Sequence, residues 1–176
     1  MDADPVTLIE PTPALAAAFQ AMVEEFRQAG EASYQRYRDL IRDDFPGYVR
    51  WTESLREANP ARPDRVPESI FWLVRAGHTV LGSSRLRYGL TAQTAQTGGH
   101  IGYDIRPGAR RQGYGTRLLA LTLDRARAAG FDRVLITCDT ANLGSARVIE
   151  KNGGVLENRL IDPASGEEVS RYWITL

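Results

Sequence analysis

Apolar residues recur along this chain with two periods. Leu15, Phe19, Met22, Val23 and Phe26 fall three or four apart, the spacing of one helix face, in a segment that opens at Pro13 and runs toward Gln28. A second helical stretch starts near Ser33, a candidate cap, carries Tyr34, Tyr37, Leu40 and Ile41, and breaks at Pro46 and Gly47. Tyr48 to Glu57 reads as one more short helix. Strands are expected at Val6 to Glu10, at the hairpin Ile70 to Arg75 and Thr79 to Tyr88, and at Gly98 to Arg106, where Pro107 stops it. The run Arg133 to Cys138 is almost continuously apolar, as in a strand covered on both faces. Leu118, Leu121, Leu123, Ala126 and Ala129 give Tyr114 to Ala129 a broad apolar face that ends at Gly130. Asn142 to Lys151 is a further helix, and Val155 to Asn158 and Arg171 to Leu176 are closing strands. The polar segment Thr91 to Thr97 reads as a mobile loop, and Asn59 to Pro67 as a rigid proline-rich one. Trp72 and Trp173 are expected in the core, whereas Trp51 faces either a pocket or a partner chain. The order of elements predicts an α/β fold: a single domain over residues 1–176 with a mixed central sheet and helices on both faces.

Composition narrows the partners. Lys plus Arg and Asp plus Glu are 22 each, so the net charge is zero. A nonspecific nucleic-acid binder needs a surplus of positive charge, so nucleic acid is not an expected partner. Cys138 is the only cysteine and cannot close an internal disulfide, and His78 and His100 have no metal-ligand spacing, so no metal is expected. The N-terminus, with Asp2, Asp4 and Glu10 among prolines, lacks the basic-then-apolar pattern of an export signal. No apolar run reaches membrane-spanning length. A cytoplasmic protein without a membrane partner is the expectation.

The most telling stretch is Arg110-Arg111-Gln112-Gly113-Tyr114-Gly115-Thr116, where a strand hands over to a helix. Unpaired N–H groups at a helix start attract anions, and glycines let the backbone approach one closely. The chain contains no nucleoside-triphosphate loop of the form Gly-x-x-x-x-Gly-Lys-Ser/Thr. A dinucleotide fingerprint needs a third glycine where Leu118 stands. What remains is a compact diphosphate cradle built from the amides of Arg111 through Thr116, to which the two arginine side chains add attraction.

Arg110-x-x-Gly113-x-Gly115 resembles the acetyl-CoA diphosphate motif of the GNAT superfamily of N-acetyltransferases. The block Asn142-x-x-Ser145-x-x-Val148-Ile149-Glu150-Lys151-Asn152-Gly153 is similar to that superfamily's following helix. The resemblance runs from about Gly98 to Gly154 and implies a V-shaped opening between the fourth and fifth strands, here Gly99 to Arg106 and Arg133 to Cys138. It implies that acetyl-CoA is the acetyl donor, that pantetheine pairs with the backbone of Tyr103, Asp104 and Ile105, and that an N–H of the fourth strand polarises the thioester carbonyl. Arg110, Arg111, Gln112, Gly113, Tyr114, Gly115 and Thr116 would hold the diphosphate, with Asn142 contacting pantetheine or capping its helix. The implied activity is direct acetyl transfer to a primary amine, on a small molecule or a peptide, without an acyl-enzyme.

Transfer to an amine needs a base, and a histidine titrates near neutrality. His100, at the start of the strand expected to line the cleft, is the candidate; the structural reading of it is a histidine at a strand edge or held by hydrogen bonds. Asp104 shares its side of the strand by the two-residue period and either binds a substrate cation, faces solvent or pairs with an arginine. Tyr103 is expected to pack on the opposite side with Ile101 and Ile105. Many members of the superfamily protonate the departing thiolate with a tyrosine where this chain has Ile149, which cannot. Ser145, one turn earlier, is the candidate proton donor, against a helix-packing role for it. Cys138, in an apolar strand with no adjacent histidine, reads as a buried small side chain. The missing tyrosine keeps a second reading open, a coenzyme A sensor with little turnover. Tyr34, Tyr37 and Tyr48 lie where the superfamily borders its acceptor pocket, against core or rim packing for most of them, and the neutral overall charge does not select the acceptor. A homodimer is compatible with the pattern, which does not reveal a shared surface.

Overall fold

A computed structural model describes residues 5–62 and 64–176. The N-terminal acidic residues Asp2 and Asp4, and Pro63 of the proline-rich loop, lie outside them. Strands β1 (Val6–Ile9), β2 (Glu68–Arg75), β3 (Thr79–Arg87) and β4 (Ile101–Ile105) form one antiparallel sheet in that order. Strands β5 (Arg133–Asp139), β6 (Val155–Ile161) and β7 (Glu168–Thr175) form a second, ordered β5-β7-β6. The closing hairpin is therefore longer than its apolar residues suggested, because much of β6 is exposed and carries no burial signal.

Residues of β2 alternate between two buried layers. Ile70, Trp72 and Val74 meet α1 (Ala16–Gln28), α2 (Arg38–Asp43) and α3 (Phe45–Ser54), through Phe19, Met22, Phe26, Ile41, Phe45 and Tyr48. Phe19 stacks on Trp72 with centroids 4.4 Å apart and planes 21° apart. Burying one such side chain is worth about 2–3 kcal/mol. Phe71 and Leu73 point the other way, onto Leu118, Leu119, Leu123 and Ala126 of α5 (Tyr114–Ala128), in a layer that also takes Val134 and Ile136 of β5. Both faces of the strand are covered, which is why its sequence is an unbroken apolar run.

Four local expectations are corrected. Ser33 does not cap the second helix: Tyr34 occupies that position in the left-handed region, φ 63°, followed by a 3-10 turn at Gln35–Tyr37. Pro46 does not separate two helices but sits in the first turn of α3, where its missing N–H costs nothing and Asp44 caps the end through Gly47 N–H. The polar segment after Thr91 is a helix, α4 (Ala92–Thr97), closed by a capping box between Thr91 and Thr94. Trp173 is also misread as core: it is half-buried, with the Arg133 guanidinium 4.3 Å from its ring centroid.

The two sheets meet at one end only. His100 N–H donates to Leu135 carbonyl at 2.7 Å, and Leu135 N–H donates to His100 Nδ1 at 2.8 Å. Gly99 makes this approach possible: its φ is +61°, and a Cβ there would lie 2.5 Å from the Leu135 oxygen. Beyond this junction β4 and β5 pair with other neighbours and not with each other, which opens a cleft between them. Helix α6 (Leu143–Lys151) follows β5, its first turn capped by Asn142 Oδ1 accepting from Ser145 N–H at 3.0 Å.

Candidate active site

The loop before α5 has the form its glycines suggested. Gly113 caps the helix at φ +86°, a left-handed conformation that costs an L side chain about 1–2 kcal/mol, and Arg111 already sits at φ +60°. Gly115 serves a different purpose, because a Cβ there would come within 3.2 Å of Val148 on α6. The six successive backbone N–H groups from Arg111 to Thr116 have no acceptor among the described residues. They border a cleft of about 580 Å³ that also runs past Tyr103, Ile105, Asn142, Ser145, Arg147 and Lys151.

The arginines of the motif divide their work. Arg110 turns away from the loop's amides: its Nη atoms donate to both oxygens of Glu31 at 2.7 and 2.8 Å, and its Nε to the Ile105 carbonyl at 2.9 Å. It braces the end of β4. Arg111 is exposed on the loop, while Arg147 and Lys151, four apart on one face of α6, add positive charge on the facing wall. Sequence reading missed these two, although their i,i+4 spacing on the helix opposite the loop was the available signal. Gln112 holds the Gly108 carbonyl at 3.1 Å, and Arg106 pairs with Glu25 of α1, whose carboxyl its hydrogen bond holds below the ordinary range.

Strand β4 separates this cleft from a second. Arg106 N–H donates to Leu81 carbonyl, so the even-numbered positions of β4 turn their backbone groups to β3. By alternation, the N–H and C=O of Tyr103 turn toward the opening. The Tyr103 side chain crosses that opening: its hydroxyl lies 2.8 Å from Ser145 Oγ and donates to the Ser145 carbonyl at 3.3 Å. Burial pushes the Tyr103 phenol up to about 12. Tyr103 packs with Ile101 and Ile105 as expected, but the hydroxyl contact was not foreseen, because only the tertiary fold brings α6 beside β4. Ile149, at the position where the superfamily's tyrosine was sought, is fully buried in the core. Cys138 is buried too, and burial raises its thiol.

The second cleft, about 240 Å³, lies under α2 and α3 and is walled by Tyr34, Tyr37, Tyr48 and Trp51. Asp104 and Tyr103 line both clefts. Tyr34 shares its hydroxyl proton between the two Asp104 oxygens, each at 2.9 Å. Burial raises the Asp104 carboxyl to about 6, against the opposing pull of Tyr34, the Ser83 N–H and the charges of Arg85 and Arg110. Desolvation, reinforced by the Asp104 charge, raises the Tyr34 phenol well above its ordinary value.

His100 is not in either cleft. The bend at Gly99 carries its ring out of line with Asp104, onto Phe131 at 5.3 Å and near Trp173, and its Nδ1 is occupied by the Leu135 N–H. Burial, together with the Arg87 charge, lowers its basicity. The two-residue period that aligned it with Asp104 fails because the strand starts one residue later, at Ile101.

A family profile described as acetyltransferase (GNAT) domain matches residues 6–155. The chain belongs to the GNAT acetyltransferase family. No curated protein matches its sequence. Among solved structures, the GNAT fold is shared with the microcin C7 self-immunity acetyltransferase MccE in complex with acetyl-CoA and AMP, at 15% identity and TM-score 0.68, covering 100% of this chain and 94% of that one. RimL, a ribosomal L7/L12 α-N-protein acetyltransferase in complex with coenzyme A, is 14% identical with TM-score 0.71 and coverage of 100% and 96%. RimJ of Mycobacterium smegmatis, in complex with a coenzyme A disulfide, is 17% identical with TM-score 0.71, covering 97% of this chain and 81% of that one. Like theirs, the GNAT fold here is a mixed α/β architecture of antiparallel sheets flanked by helices. No described helix is long and apolar enough to cross a membrane.

Proposed function

We propose that residues 1–176 act as one N-acetyltransferase domain that moves the acetyl group of acetyl-CoA directly to a primary amine. The observation that carries this reading is the meeting of two clefts at Tyr103 and Asp104, one edged by six unpaired amides and the other by a carboxylate. The amides of Arg111 through Thr116 hold the diphosphate, with Arg111, Arg147 and Lys151 adding charge around it. Pantetheine enters the opening beside β4, where Tyr103 N–H and C=O offer it strand-like hydrogen bonds, and Tyr103 N–H is placed to polarise the thioester carbonyl. This cosubstrate binding also follows the complexes of the structural neighbours.

Asp104 replaces His100 as the base. Its carboxylate attracts the acceptor's ammonium and removes one proton, directly or through a water, leaving a neutral amine. Nitrogen attacks the thioester carbon, the C–N bond forms and the C–S bond breaks; the nitrogen sheds its second proton to solvent, and the thiolate takes a proton from the Tyr103–Ser145 pair. Solvent returns that proton and removes the one on Asp104, so the net products are an amide and free coenzyme A. Ser145 keeps its assigned part, and Tyr103 supplies the phenol that the superfamily takes from the position of Ile149.

The test is a panel of primary amines, with free thiol release followed continuously and mass spectrometry of the product. An acetylated amine formed in step with thiol is expected. Saturable acetyl-CoA binding with no product across the panel would instead favour a sensor, and no saturable binding would remove the reading altogether.

A further inference from the structure

The acceptor cleft is charged at both ends, and this bears on which amine it takes. On the face of the sheet turned to α1–α3, Ser83 stands opposite Asp104 and Arg85 opposite Gly102. Gly102 leaves open space where a side chain would sit, with no atom within 4 Å of an added Cβ. Arg85 therefore borders a gap beside Asp104, two strand positions or about 7 Å away along β4.

The arginine is short of acceptors. Among the described residues, Glu68, nearly buried, is the one carboxylate within 4 Å of both guanidinium groups, 3.5 Å from Arg85 Nε and 3.6 Å from Arg87 Nε. Arg87 is further committed, its Nη1 donating to the carbonyls of Gly98 at 3.1 Å and Gly99 at 2.9 Å, which fixes the bend before β4. The Nη groups of Arg85 have no hydrogen-bond partner among the described residues, and its side chain is 34% exposed, at the cleft wall. Glu68 thus offsets one of the two charges at short range, and Arg85 faces Asp104 only across the cleft, with its forked donor edge unused. Beside it, Tyr37 and Trp51 pack with centroids 4.4 Å apart and present an aromatic wall.

We infer that the acceptor is a zwitterionic amine, with its ammonium at Asp104, a carboxylate or phosphoryl oxygen pair on Arg85, and an apolar body against Tyr37 and Trp51. This rests on the transfer reading for the role of the amine, while the binding chemistry stands apart from it. A polyamine or a lysine-rich tail carries its next cation toward Arg85 and Arg87, where like charges repel it. An amine with an oxyanion a few bonds away satisfies both ends at once, and the guanidinium fork matches a carboxylate or phosphoryl group in the same two-point manner.

The experiment titrates the protein, saturated with coenzyme A, with four probes: phenylalanine, its phosphonic acid analogue, 2-phenylethylamine and spermidine. Phenylalanine or the phosphonate should bind at least about tenfold more tightly than 2-phenylethylamine, the tighter of the two naming carboxylate or phosphoryl as the source, and spermidine should bind more weakly still. Arg85→Gln should erase that preference and leave 2-phenylethylamine unchanged, while Arg85→Lys restores part of it. Equal affinity for all four probes, an unchanged preference in Arg85→Gln, or no binding of either anionic probe at roughly 10 mM would overturn the inference. Selective binding without acetylated product would uphold it and sink the transfer reading; equal acetylation of phenylalanine and spermidine would do the reverse.

Discussion

Replacing Asp104 with Asn should slow the enzyme and make it more stable, and the second effect depends on pH in a defined way. Asp104 sits between two clefts with its carboxyl raised from 3.8 to about 6, chiefly by burial. Each pH unit of such a shift is worth about 1.4 kcal/mol, so the folded state holds this proton about 3 kcal/mol more tightly than the unfolded chain does. The sign follows directly. A carboxyl whose folded value lies above its unfolded one contributes stability that is complete below about 4 and is lost as pH rises through about 6. Asn cannot ionise, and its amide oxygen still accepts from Tyr34. Relative to wild type, Asp104→Asn should therefore gain about 3 kcal/mol between pH 4 and pH 8.

Urea unfolding of both proteins at several pH values reads this difference. Glu25 and Glu31, whose arginine partners lower their carboxyl values, make the absolute stability fall as pH drops, but they are common to both proteins and cancel. Turnover should fall by roughly two to four orders of magnitude, the usual worth of a positioned base, and the wild-type rate should rise through a pH near 6 that the variant lacks. A stability difference that is the same at pH 4 and pH 8 would refute the argument that this carboxylate ionises in a desolvated site. Retention of the wild-type pH limb in the variant would remove it as the base.

Other outcomes follow from the same geometry. Tyr103→Phe should reduce kcat about tenfold or more with the KM for acetyl-CoA little changed, and adding Ser145→Ala should cost little further because the two hydroxyls act as one donor; wild-type kcat in Tyr103→Phe would dismiss the pair. Gly113→Val puts a branched side chain at φ +86°, and acetyl-CoA affinity measured by calorimetry should drop about tenfold, whereas an unchanged Kd would count against the amide cradle. His100→Ala should lower stability by about 1–3 kcal/mol, since the Leu135 N–H loses its acceptor, and should leave the pH limb near 6 in place; its disappearance would restore His100 as the base.

The sequence by itself settled the features that depend on local chemistry. Helical and two-residue periods located the α1 face, the buried β2 and β5 runs and the long α5, because burial imposes those periods directly on neighbouring residues. The glycine loop before α5 was legible for a similar reason: Gly113 needs its left-handed backbone whatever lies around it. Short polar elements were not legible, since α4 is held by a capping box between two threonines and has no apolar stripe.

Only the tertiary structure decided which chemistry-bearing side chains meet. Tyr34 and Asp104 are 70 positions apart, and Tyr103 and Ser145 are 42 apart, so no spacing rule joins them. His100 looked catalytic because a histidine at a strand start has a suitable pKa, yet one residue with positive φ rotates it out of the cleft and into a hydrogen bond with β5. Arg110 likewise matched a motif, and the approach of Glu31 redirected its side chain. Residue types report what a group can do; burial and long-range neighbours fix its charge state and its aim, and those are properties of the packed chain.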